Sequence, residues 1–157
     1  MKKIKINFIV FVLLVFLPQC GFKVLDKSKL SNFTIKEIQS DGDKRINFKI
    51  KNNLRINVKE NSQNVLNLTI RTNKNKSIKE KNIKNEITKY EIVINTTIEY
   101  SLPNSKVYSS SLSVQGDYLV AGNYATTLNN EKTLIDNLTE NLSEKLIDTI
   151  LNTINDI

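Results

Sequence analysis

Between Tyr90 and Tyr100 the chain alternates without a break for eleven residues. Tyr90, Ile92, Ile94, Thr96, Ile98 and Tyr100 fall on one side, and Glu91, Val93, Asn95, Thr97 and Glu99 on the other. Successive side chains of a strand point to opposite faces, so this pattern specifies a long strand with one face to bury. A turn follows at Leu102-Pro103-Asn104-Ser105. Val107 to Tyr118 then places Tyr108, Leu112, Val114 and Tyr118 in phase, which makes the two segments an antiparallel hairpin.

Such a face needs a cover, and the end of the chain offers one. Leu134, Leu138, Leu142, Leu146, Ile150 and Ile154 recur at four-residue steps, joined by Ile135, Ile147 and Leu151. This predicts an amphipathic helix of about 25 residues, started by Thr127, Asn129 or Asn130, with Glu131, Asp136, Glu140, Glu144 and Asp148 on its polar side. An apolar stripe beside a one-sided sheet is better placed on that sheet than in a coiled-coil seam. Two more strands are expected: one within Leu30–Ile38, around Phe33 and Ile35, and one over Val65–Arg71, around Leu66, Leu68 and Ile70. Ser40-Asp41-Gly42-Asp43 reads as a turn and a helix N-cap.

The segment after that turn is ambiguous. Ile46, Ile50 and Leu54 lie on one helical face, yet Ile46/Phe48/Ile50 and Leu54/Ile56/Val58 also alternate as two strands about Asn52-Asn53. Periodicity alone slightly favours the hairpin. Residues 73 to 89, with lysines at 74, 76, 79, 81, 84 and 89, show no clean period and read as a loop or extended edge.

The first residues carry a different signal. Met1 to Lys5 is basic, and Phe8 to Leu17 is apolar throughout but well short of the roughly 20 residues needed to span a bilayer. That pattern predicts a secretory signal peptide over residues 1–19. The single cysteine, Cys20, follows it and has no partner for an internal disulfide. The arrangement resembles a bacterial lipoprotein signal, with Leu17 at the leucine position, although Gln19 stands where a small residue is usual. Cys20 is therefore the expected lipid attachment site, carrying a diacylglyceryl group and an N-acyl chain such as palmitate. Each buried methylene contributes about 0.8 kcal/mol, so several chains fix a domain to a membrane. Residues 20–32 then form a lipidated linker and residues 33–157 a single domain.

Charge is divided unevenly. Residues 44 to 89 hold thirteen Lys/Arg against three Glu, whereas residues 90 to 157 hold three Lys against nine Asp/Glu. Asymmetry of this kind points to an anionic partner of the basic half. For an exported chain that partner is a phosphorylated or acidic lipid and not nucleic acid. The chain lacks histidine, the usual general base and metal ligand, and its four glycines form no phosphate-binding loop. No catalytic residues, metal site or cofactor are expected, and the chain is read as a non-enzyme.

Cys20-Gly21-Phe22, then Lys51-Asn52-Asn53-Leu54-Arg55, Thr88-Lys89-Tyr90, and Tyr124-Ala125-Thr126 leading into Asn130-Glu131 and the Leu/Ile helix, occur in an order that resembles the LPS-assembly lipoprotein LptE family. The resemblance covers about residues 20 to 152. It implies an α+β two-layer sandwich, a sheet of about four strands covered by two helices, with a helix over the segment 44–57. It also implies an outer-membrane, periplasm-facing lipoprotein that plugs and helps assemble the LPS-translocating β-barrel LptD, with LPS as a ligand. The family's basic position before the long strand matches Lys84-Asn85, whereas its second, before the last helix, falls on Leu128-Asn129 and has no counterpart. Lys79, Lys81, Lys84 and Lys89 are the LPS-binding candidates, since lysines hold phosphates as point charges. The alternative is another periplasm-facing accessory lipoprotein, a pilotin or an assembly-complex subunit.

Overall fold

The structure, a computed structural model, describes residues 33–56, 64–101 and 106–155. Cys20, the signal segment 1–19 and the linker 20–32 lie outside these residues. The described chain is an α+β sandwich: β1 (Phe33–Gly42), α1 (Lys44–Ile56), β2 (Asn64–Lys81), β3 (Ile87–Ser101), β4 (Tyr108–Leu119) and α2 (Tyr124–Asn155). The four strands form one sheet in the order β1-β2-β3-β4. β1 and β2 are parallel, and β2, β3 and β4 form an antiparallel meander. Parallel neighbours require a crossover, and α1 supplies it.

The alternation of β3 is realised as read. Ile92, Ile94, Thr96, Ile98 and Tyr100 are buried, and Val93, Asn95 and Thr97 face the other way. Leu66, Leu68, Ile70, Val114 and Tyr118 extend the buried face across β2 and β4. Leu142, Leu146, Ile147, Ile150 and Leu151 of α2 cover it, together with Ile46, Ile50 and Leu54 of α1. Each large aliphatic chain removed from water contributes on the order of 2 kcal/mol. The one buried polar pair of this face is self-satisfied, because the Thr72 and Thr96 hydroxyls lie 3.1 Å apart across β2 and β3. The opposite face carries Ser109, Ser111, Ser113 and Gln115 exposed, and no described element covers it.

Two expectations are corrected and an open one is resolved. The segment after Asp43 is a helix and not a hairpin, in line with the family resemblance. Asp43 Oδ1 accepts from the Arg45 and Ile46 amides, so the first turn is capped. Packing then selects the four-residue stripe and leaves Phe48 65% exposed, off the face where strand alternation would bury it. Of the two readings of residues 73–81, the extended edge is the one found: they continue β2 and pair with β3 as far as Ile87, while the pairing with β1 stops at Thr72. The strand is invisible in its side chains because both of its faces are exposed there. α2 begins at Tyr124, earlier than expected, where Asn123 Oδ1 accepts the Thr126 amide at 2.8 Å. Thr127 instead ties the preceding loop through Ala121, and Asn130 donates to the Leu119 carbonyl.

The two helices meet through polar groups. Asn53 donates to the Ser143 hydroxyl at 3.1 Å, and Lys49 pairs with Asp136. Thr139 and Ser143 are buried there and return their own hydroxyls to carbonyls one turn back. At the sharp exit from β1, Gly42 adopts φ 93°, and a Cβ there would lie 1.9 Å from the Thr72 carbonyl oxygen. Gly42→Ala is therefore expected to cost at least about 3 kcal/mol, combining a left-handed backbone with a clash against the neighbouring strand. Urea unfolding of the variant beside the parent measures it.

Candidate functional site

The candidate lysines all lie on the hairpin made by the end of β2 and the start of β3. Its turn is built by Asn82, whose Oδ1 accepts the Lys84 and Glu86 amides while its own amide donates to the Glu86 carbonyl. Asn85 takes φ 63°, a conformation that asparagine tolerates better than most residues. This chemistry defines the hairpin apex, and Asn82-Ile83-Lys84-Asn85 is the sequence signal that identifies it.

Below the apex the hairpin is fastened to α2. Tyr90 and Tyr118 stack with ring centroids 5.7 Å apart, and Lys76 lies over the Tyr90 ring at 4.4 Å. Lys76 and the Tyr118 hydroxyl both donate to Glu131 Oε2, at 2.6 and 2.7 Å. Burial alone would raise the Glu131 carboxyl, but hydrogen bonds from Lys76 and Tyr118 and the charges of Lys76 and Lys74 outweigh it and hold the group below its ordinary value. Burial works against the Lys76 ammonium in the same way. The contacts with Glu131 and Tyr118 prevail and raise it.

On the other face, Lys79 lies 3.0 Å from Asp117 and 3.4 Å from Glu91, and Lys89 lies 3.1 Å from Glu80 and 3.8 Å from Asp117. The Asp117 hydrogen bond is the main cause that raises the Lys79 ammonium, and the same bond holds Asp117 low. Two of the four candidates are thus brought together around Asp117 and already neutralised. The other two belong to the turn. Lys81 donates to Asn85 at 3.0 Å, and Lys84 forms no ion pair among the described residues. Between them Ile83 is fully exposed.

The charge asymmetry of the sequence has the same explanation. Lys49–Asp136, Arg71–Glu99, Lys76–Glu131 and Lys79–Asp117 each join the basic half to the acidic half. Much of the excess is internal pairing in a folded sandwich, which one-dimensional counting reads as a demand for an external anion. What remains at the apex is a short motif of two lysines about an exposed isoleucine, suited to an amphiphile with an anionic head. Leu128, at the position where the family's second basic residue would fall, is an exposed residue of the first turns of α2.

No family model matches the chain, and no curated protein matches it in sequence. Solved structures do. The rare lipoprotein B of Shewanella oneidensis has a TM-score of 0.62 at 14% identity, covering 78% of this chain and 98% of that one. A minor lipoprotein of Acinetobacter baumannii has a TM-score of 0.55 at 12% identity, over 78% and 92% of the two chains. Lipoprotein B of Nitrosomonas europaea also has a TM-score of 0.55 at 12% identity, over 85% and 90%. At these identities the likeness is one of fold, and it extends over nearly the whole of each neighbour.

The hairpin fastening sets a pH dependence. A carboxyl held below its unfolded value contributes stability that is present above that value and lost as pH falls through the folded one. Glu131, with Asp43 and Asp117 shifted the same way, makes stability fall on acidification below about pH 5. Glu131→Gln should flatten part of that slope, read as urea midpoints measured between about pH 7 and pH 3.

Proposed function

We propose that the chain is an outer-membrane lipoprotein, anchored through acyl chains on Cys20 and facing the periplasm, that plugs and helps assemble the LPS-translocating β-barrel LptD and assists LPS delivery to the outer leaflet. The observation that carries this reading is the fold: one β1-α1-β2-β3-β4-α2 sandwich, shared with solved lipoproteins over almost their full length. The LptE-like sequence order adds to it. So does the surface, since the side of the sheet away from the helices is polar and rich in small hydroxyl groups, a face suited to a wet wall. The chain acts by binding and not by catalysis.

Within that role Lys81 and Lys84 are the residues left to meet lipid A phosphates, with Ile83 against acyl chains. Lys79 and Lys89 hold the hairpin in shape. Tagged full-length protein recovered from detergent-solubilised outer membranes should bring down a large β-barrel in near-equal amount. Recovery of a secretin or an inner-membrane complex without a barrel would replace this reading with the accessory-lipoprotein one. The double variant Ile83→Asp, Lys84→Glu should lower co-purified LPS several-fold while leaving barrel recovery unchanged.

A further inference from the structure

The unmatched positive charge of the described chain is not confined to the hairpin. On α1, Lys44, Lys51 and Arg55 fall in one stripe with Phe48, at spacings of four, three and four residues. None of the three cations forms an ion pair among the described residues, in contrast to Lys49 on the neighbouring face of the same helix. Phe48 stands exposed in the middle of the stripe. Beside it lies a cleft of about 240 Å³ between α1 and the last residues of β1, lined by Asp41, Lys44, Asn47, Phe48 and Lys51.

Asn47 makes this more than a charged helix face. It is only 3% exposed, and its Nδ2 donates to the Asp41 carbonyl at 2.8 Å, which fixes the side chain against β1. Its Oδ1 is buried and accepts no hydrogen bond. A buried acceptor left unmade costs on the order of 1–3 kcal/mol, so a donor that reached it from the cleft would be favoured. The site therefore combines two ammonium groups for an anion, an amide oxygen for a hydroxyl donor, and an aromatic ring for apolar chain.

We infer that this cleft holds the headgroup of an anionic glycerophospholipid. The phosphodiester sits between Lys44 and Lys51, a headgroup hydroxyl donates to Asn47, and the start of the acyl chains lies on Phe48. Basic residues near an anionic leaflet each add a favourable increment, and an exposed aromatic anchors at the acyl boundary. The inference uses neither the barrel nor the hairpin apex and stands apart from the function proposed above.

The test is an amide chemical-shift titration of ¹⁵N-labelled full-length protein in dodecyl maltoside micelles. Four probes are compared: dihexanoyl phosphatidylglycerol, dihexanoyl phosphatidylcholine, glycerophosphoglycerol and inorganic phosphate. The expected result is saturable shifts at Asp41, Lys44, Asn47 and Lys51 with phosphatidylglycerol. Glycerophosphoglycerol should bind more weakly at the same residues, and the choline lipid should leave them unmoved. Lys44→Gln with Lys51→Gln, two surface changes whose fold is checked by circular dichroism, should weaken phosphatidylglycerol at least about tenfold. Phe48→Ser should weaken it while leaving glycerophosphoglycerol unchanged. Equal shifts with inorganic phosphate would make this a free-anion site and overturn the lipid assignment. Overturning it equally would be shifts that avoid these residues, or that survive the double lysine change.

Discussion

A sheet with one apolar face organises this molecule. β3 buries Ile92, Ile94, Ile98 and Tyr100 on a single side, and the antiparallel neighbours β2 and β4 continue that side with Leu66, Leu68, Ile70, Val114 and Tyr118. Hydrophobic burial is proportional to area, and a surface of this size in water is untenable without a second layer. Both helices answer that demand. α2 lies along the meander, and the crossover helix α1 covers the side where β1 joins. Gly116 belongs to the same contact, since a Cβ there would meet Leu134 Cδ1 at 2.7 Å and the Leu134 side chain would have to shift.

Once the layers are in place, electrostatics is mostly an internal matter. The basic hairpin and the acidic helix are distant in sequence but adjacent in space, and their charges meet in pairs such as Lys76–Glu131. Exposed pairs of this kind contribute little each. Lys76 is the exception in kind, because it also lies over two tyrosine rings and shares Glu131 with a hydroxyl, so one ammonium joins β2, β3, β4 and α2. Among the described residues, the hairpin apex and the outer stripe of α1 are two places where lysines keep no ion pair.

Legibility in the sequence followed the strength of one-sided burial. β3 and the body of α2 were readable because Ile92 to Tyr100 and Leu134 to Leu151 each keep a single period along their length. The far half of β2 was not, because Asn73 to Lys81 is exposed on both faces and nothing selects apolar residues there. α1 was undecided because Phe48 is apolar yet exposed, so its identity supports a strand period that its position does not obey. Resemblance to a family resolved that point where periodicity had leaned the other way. Of the candidate site, the hairpin lysines were legible as a group. Which of them are spent on Asp117 and Glu80 depends on cross-strand register, and no local pattern carries that. The α1 cleft escaped notice because its key residue, Asn47, looks like any other asparagine in a chain full of them.

Strand direction also fixes a length. β2 runs 18 residues from Asn64, beside the entry of β1, to Lys81 at the base of the turn. At about 3.4 Å per residue it measures roughly 60 Å from pole to pole. That exceeds the roughly 40–45 Å of a whole bilayer, headgroups included. The pole where the N-terminal segment enters and the pole bearing Ile83 are thus held apart, by a hydrogen-bonded ribbon, at more than the depth of a membrane. Whatever the two ends touch, they touch at points about 60 Å apart, and the sheet serves as the ruler between them.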